Sequence, residues 1–159
     1  MDLQILPATE NDLKPILDLQ KECYQTEAEL HNEFDIPPLT QTMESIKEEN
    51  RNGTLFLKGI IDGHIIASVR GHIQDNTAFI GRLIVKEVFQ NNKIGQTLMK
   101  EIELRLDHCS RYELFTGFRS QKNLKLYQKL GYKEFKRQFI NGNLTLVYLE
   151  KLRKNKARR

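Results

Sequence analysis

Hydrophobic positions along this chain follow two periods. From Ile94 they recur every fourth residue, at Leu98, Ile102 and Leu106, the spacing of one face of an α-helix. Leu13, Ile16, Leu17 and Cys23 share a side in the same way, and Thr9, three residues before Asp12, reads as a capping box at the start of that helix. Pro15 falls inside the pattern and should displace or bend its first turn. A further helix runs through "TMESIKEEN", closed by Asn52 and Gly53. "SQKNLKLYQKLG" makes a short one, with Ser120 as N-cap and Gly131 as the left-handed residue that ends it.

Between the helices the pattern is that of strands. "LQIL" opens the chain as a short strand, and "TLFLKGII" and "HIIASVRGHI" flank Asp62 and Gly63, a favoured two-residue hairpin turn. "TAFIGRLIV" follows after Asp75 and Asn76, which also tolerate positive φ, so three strands form an antiparallel meander. "YELFTGF" is another strand, and "YKEFKRQFI" with "LTLVYLE" closes the chain as a hairpin around Asn141 and Gly142. "NEFDIPPLTQ" reads as a loop, because adjacent prolines forbid regular pairing. The sum is an α/β layered domain: a meander, a crossover helix leading to a parallel neighbour, then a second helix and a hairpin.

Composition narrows the class. A chain of 159 residues is one domain by size, with 1–150 as its folded body and 151–159 as a basic tail. Hydrophobic residues at 39% and charged residues at 29% are the proportions of a globular protein. No apolar run approaches the roughly 20 residues a membrane helix needs, and the N-terminus lacks a secretory pattern, so no membrane partner is expected. Cys23 and Cys109 make neither a disulfide framework nor a ligand set, and His31, His64, His72 and His108 show no metal spacing. A reduced, cytoplasmic setting without a metal is the expectation. The net charge of +4 belongs to the tail: the last nine residues hold six Lys or Arg, and without those six charges the chain stands at −2. A terminal charge run of this kind is a solvated end, which argues against a nucleic-acid-binding face.

Two segments carry candidate chemistry. In "VFQNNKIGQTLM" a polar turn feeds a helix N-terminus, where outward N–H groups and the helix dipole suit an anion. Phosphate loops usually lean on glycine, and this one holds only Gly95, so the residues alone leave open an ordinary connector. In "SQKNLKLYQKLGY", Tyr127 lies three residues from both Leu124 and Leu130, the spacing of a core position.

Together the two segments resemble the Gcn5-related N-acetyltransferase (GNAT) family. Its signature is a strand ending L-x-V, a turn Q/R-x-x-G-x-G/A opening a helix, and later N-x-x-A-x-x-L-Y-x-K-x-G-F. This chain offers Leu83 and Val85, then Gln90, Lys93 and Gly95, then Ser120, Asn123, Leu126, Tyr127, Lys129, Gly131 and Tyr132. The other elements fit in order and spacing, so the resemblance covers nearly the whole chain. It implies a mixed sheet of six to seven strands, with one parallel splayed pair, flanked by about four helices.

The resemblance also implies acetyl-CoA as cosubstrate. The N–H groups of Gln90, Asn91, Asn92, Lys93, Ile94, Gly95 and Gln96 would hold its pyrophosphate, and backbone near Leu83 and Val85 its pantetheine arm. Ser120 and Asn123 would contact the pantetheine or adenosine end, and Tyr127 would protonate the departing thiolate. A primary amine, on a small molecule or a protein, would attack the thioester directly. Its pocket would involve His31 to Pro38, with Glu33, Phe34 and Asp35, and also Phe79, Arg82 and the last hairpin; the acidic mouth suits a cationic amine. Lys93 replaces the family's middle glycine, and Gly81 stands where a carboxylate is common, so the general base is Glu33, Asp35 or water. Those departures favour the alternative of a non-catalytic acyl-CoA-sensing or partner-docking module. Family members often pair, so a homodimer is allowed.

Overall fold

The hairpin signals are realised as two-residue turns with left-handed backbone. In the computed structural model, which describes residues 2–153, Asp62 and Gly63 take φ of 51° and 77°, and Asp75 and Asn76 take 50° and 67°. They join β2 (Leu55–Ile61), β3 (His64–Gln74) and β4 (Thr77–Val85) into the meander, with β1 (Gln4–Pro7) antiparallel on the outer edge of β2. β5 (Arg111–Gly117) runs parallel to β4, then pairs antiparallel with β7 (Leu144–Leu152), which pairs with β6 (Lys133–Asn141). The seven-stranded order is β1-β2-β3-β4-β5-β7-β6.

Five helices accompany the sheet among the described residues: α1 (Leu13–His31), α2 (Pro37–Thr40), α3 (Met43–Arg51), α4 (Ile94–Arg105) and α5 (Gln121–Lys129). α4 is the crossover between the parallel strands. Its apolar face, Ile94, Leu98 and Ile102, is buried against the sheet together with Leu106 just beyond it, in the main core. Leu13, Ile16 and Leu17 of α1 meet Ile46 of α3 and Phe56 of β2 in a second cluster. No helix among the described residues is long and apolar enough to cross a membrane.

Some local expectations shift. Thr9 donates its N–H to the Asp12 carboxylate at 2.8 Å as the capping box requires, but the first turn, Glu10–Asp12, is a 3-10 turn. Pro15 then lies in the first turn of α1, where its missing N–H costs no helical bond. The segment 32–41 is not a plain loop. Pro37 and Pro38 occupy the first positions of α2, where a fixed φ and an absent donor favour a helical turn. The last hairpin turns at Gly142 and Asn143, one residue later than expected, because Asn141 pairs with Leu144 and its Oδ1 accepts the N–H groups of both Asn143 and Leu144. β7 runs on to Leu152, and Lys151 of the expected tail is ion-paired with Glu103 at 2.8 Å. The remainder of that tail, 154–159, lies outside the described residues.

Candidate active site

The site originates in a defect of β4. Arg70 of β3 pairs with Gly81 while Ser68 pairs with Ile84, so β4 carries one residue too many, and Arg82 takes φ of 51°. A bulge of this kind bends a strand and re-aims side chains. Five consecutive residues of β4 around it, Phe79 to Leu83, line one cavity. β4 and β5 are paired only from Thr77–Arg111 to Phe79–Glu113, and beyond that point they part.

Two cavities flank the opening. One, of about 440 Å³, is walled by Leu83, Val85, the turn after β4, the start of α4 and the outer side of α5. Asn91 and Lys93 of that turn have φ of 67° and 62°. Lys93 therefore occupies the left-handed position at the N-terminus of α4, a conformation costing a non-glycine residue about 1–2 kcal/mol. Gly95 instead sits in the first helical turn. The first helical bond at this end runs from the Thr97 N–H to the Lys93 carbonyl at 3.1 Å. The N–H groups of Ile94, Gly95 and Gln96 have no hydrogen-bond partner among the described residues, and no side chain caps the helix. That is the geometry of an anion site. Lys93, Lys122, Lys125 and Lys129 surround it with positive charge.

Gln90 and Asn91 line this cleft, but Asn92 and Ser120 do not. The Asn92 amide donates to the Phe89 carbonyl at 3.2 Å, and the buried Ser120 hydroxyl donates to Glu27 rather than capping α5. The Val85 carbonyl, part of the backbone expected to hold the pantetheine arm, accepts from the Gln90 side chain at 2.9 Å and from the Cys23 thiol at 3.5 Å. Burial pushes that thiol up to about 11.

The second cavity, of about 710 Å³, lies on the other side of the opening, between α1, α2, β3, β4, β5 and the last hairpin. It gathers Glu33, Asp35, Phe79 and Arg82 as expected, with Ile140, Leu144 and Leu146 from the hairpin. Phe34 stands apart, turned outward and 51% exposed. Glu33 accepts from the Asn141 amide at 3.0 Å, which ties the α1–α2 connection to the hairpin. His31 is buried: its Nδ1 bonds the Glu27 carbonyl and its Nε2 accepts the Arg119 N–H at 3.1 Å. A Cβ on Gly117 would stand 2.4 Å from that ring, so only glycine fits beneath it.

Tyr127 is a core residue by burial and a site residue by position. Its ring lies 6.0 Å from that of Tyr132, and its hydroxyl has no hydrogen-bond partner among the described residues. Burial, reinforced by Tyr24 and Glu27, raises its pKa well above the ordinary tyrosine value, so it stays protonated. Tyr24, Glu27, Leu83 and Asn123 line both cavities and mark their junction.

Sequence reasoning missed Tyr24 and Glu27. Both sit on α1 amid polar neighbours, and the only available signal was their i,i+3 spacing. It also missed a buried cluster in the wall of the larger cavity. Arg70 donates to Glu49 at 2.7 Å, to Gln41 at 3.3 Å and to Gln20, and its guanidinium lies 4.7 Å over the Phe56 ring.

A sequence model of the Acetyltransferase (GNAT) family matches residues 13–132. The chain belongs to this family. N-alpha-acetyltransferase 30 of Dictyostelium discoideum is 33% identical over 86 residues, covering 53% of this chain and 46% of that protein, so the chain spans about half the length of the curated relative it matches. The fold is shared with the paia N-acetyltransferase of Thermoplasma acidophilum in complex with coenzyme A, at 22% identity, TM-score 0.71, and coverage of 96% of this chain and 99% of that one. It is shared too with the ribosomal-protein-S18-alanine N-acetyltransferase of Escherichia coli, at 13% identity, TM-score 0.80, and coverage of 98% and 97%.

Proposed function

We propose that this protein transfers an acetyl group from acetyl-CoA to a primary amine. The observation that carries the reading is the junction of two cavities beside Tyr127 in a chain of the GNAT family. The cleft at the start of α4 takes the cofactor: free N–H groups and the lysine rim hold its phosphates, and the pantetheine arm enters between β4 and β5. The Val85 carbonyl becomes available to that arm when the Gln90 side chain turns away. The thioester then lies at the junction.

The acceptor amine enters from the other cavity. Its neutral nitrogen attacks the thioester carbon, a C–N bond forms and the C–S bond breaks. Tyr127, held protonated by burial, delivers its proton to the leaving sulfur. The proton lost by the amine passes to a carboxylate. Glu27 at the junction is better placed for this than Glu33 and Asp35, which line the acceptor side alone.

Calorimetric titration of acetyl-CoA, followed by acetyl transfer to a panel of amines, tests the reading. Saturable one-to-one binding is expected, with transfer slowed about a hundredfold in Tyr127→Phe while acetyl-CoA affinity stays within about threefold. No binding up to millimolar acetyl-CoA overturns it.

A further inference from the structure

The acceptor cavity holds two arginines in opposite situations. Arg70 is saturated: Glu49 neutralises it, Gln20 and Gln41 take further donors, and Phe56 covers its face. Arg82 has no ion-pair partner among the described residues, and its Nε is buried without a hydrogen-bond acceptor. A buried guanidinium N–H left unpaired is costly, by about 1–3 kcal/mol. The backbone is also bent at this residue, which takes φ of 51° in the β4 bulge and lines the cavity. Strain and an unfilled donor at one residue, on the wall of a binding cavity, mark a group kept for a ligand.

Arg82 also fixes where that ligand's charge must lie. It follows Gly81 and precedes Leu83, and Leu83 lines the junction where the thioester would sit. Its positive charge is felt at Tyr24, which lines the same junction. The acceptor's nucleophilic nitrogen has to reach this point, so an anion on Arg82 sits only a few bonds from it. Guanidinium pairs with carboxylate in a planar, two-pronged way. The surrounding carboxylates of Glu27, Glu33 and Asp35 favour a cationic amine end, so the cavity is dipolar rather than uniformly acidic.

Building on the acetyltransferase reading above, we infer that the acceptor is an amine carrying a carboxylate close to its nitrogen, and that Arg82 binds that carboxylate. The carboxylate can belong to a free amino acid or to an acidic side chain near a peptide's N-terminus, and matched probes separate the two sources.

Acetyl transfer is compared for amino acids and their carboxamides, and for short peptides with Glu or Gln in the first two positions. The expected result is a preference for the carboxylate of about tenfold or more in kcat/KM, expressed mainly in KM. The preference should collapse toward unity in Arg82→Gln and recover in part in Arg82→Lys. A preference confined to the free amino acids identifies that source, and one confined to the peptides identifies the other. A second arm needs no turnover: binding of N-acetyl amino acids and their carboxamides to the CoA-saturated protein, measured calorimetrically. The carboxylates should bind about tenfold tighter, and Arg82→Gln should remove the difference. Equal treatment of carboxylate and carboxamide by the wild-type protein, or an undiminished preference in Arg82→Gln, overturns the inference while leaving acetyl transfer standing. Failure to bind CoA removes the acetyltransferase reading and this inference with it.

Discussion

The proposed cofactor cleft and the proposed acceptor cavity meet at Tyr24, Glu27, Leu83 and Asn123, yet they are made of different material. The cleft is a backbone structure. Its candidate anion-binding end consists of N–H groups at the start of α4, and the side chains of Asn91, Asn92 and Lys93 there are exposed. The acceptor cavity is a side-chain structure, whose wall rests on Gln20 of α1, Glu49 of α3, Arg70 of β3 and Gln41 between α2 and α3. Backbone groups survive substitution; a buried polar cluster does not. The loop can therefore carry lysine where glycine is usual, while the acceptor wall depends on each member being present.

Removing the cation of that cluster should give the largest effect. Arg70→Leu leaves Glu49, Gln20 and Gln41 facing one another without their positive partner, and is expected to cost about 3–5 kcal/mol of stability in a denaturant titration. A change below about 1 kcal/mol would mean that the wall does not depend on its cluster. On the cleft side, Lys93→Gly removes a charge but relieves a left-handed backbone. Stability should rise by about 1 kcal/mol, and acetyl-CoA affinity should weaken by no more than about threefold. A tenfold loss would show that the loop is read through its side chain after all. The smallest effect is expected in the pH profile of transfer. Tyr127 lies above its ordinary value of 10.0, so it keeps its proton as pH rises, and the rate should climb with amine deprotonation without falling again between about pH 8 and 10. A downturn in that window would point to an exposed acid instead.

The same contrast decides what could be read from the sequence. The meander, the crossover helix and both left-handed hairpin turns were legible, because each rests on neighbours in the chain: Asp62 with Gly63, Asp75 with Asn76, Ile94 with Leu98. So was the position of the loop after β4, whose proposed role rests on backbone groups. Leu83, Gln90 and Asn123 fall on the cleft, and Glu33, Asp35, Phe79 and Arg82 on the acceptor cavity. Asn92 and Ser120 stand off the cleft because bonds to Phe89 and Glu27 hold their side chains, and a motif records residue types without such competitors. Glu27 and the Arg70 cluster were not legible. Their partners lie up to 93 residues away, as in the Ser120–Glu27 bond.

The parting of β4 and β5 after Phe79 has a consequence for the whole sheet. Most sheets keep their free edges at the outside, where lysines, prolines or a covering loop can blunt them. This one has a free edge at its centre, bounded by a ladder of three residue pairs, and covering it would close the opening. Such an edge is also a template for a stray strand from another chain. Whatever fills the seam then guards the protein against mispairing as well as serving its chemistry.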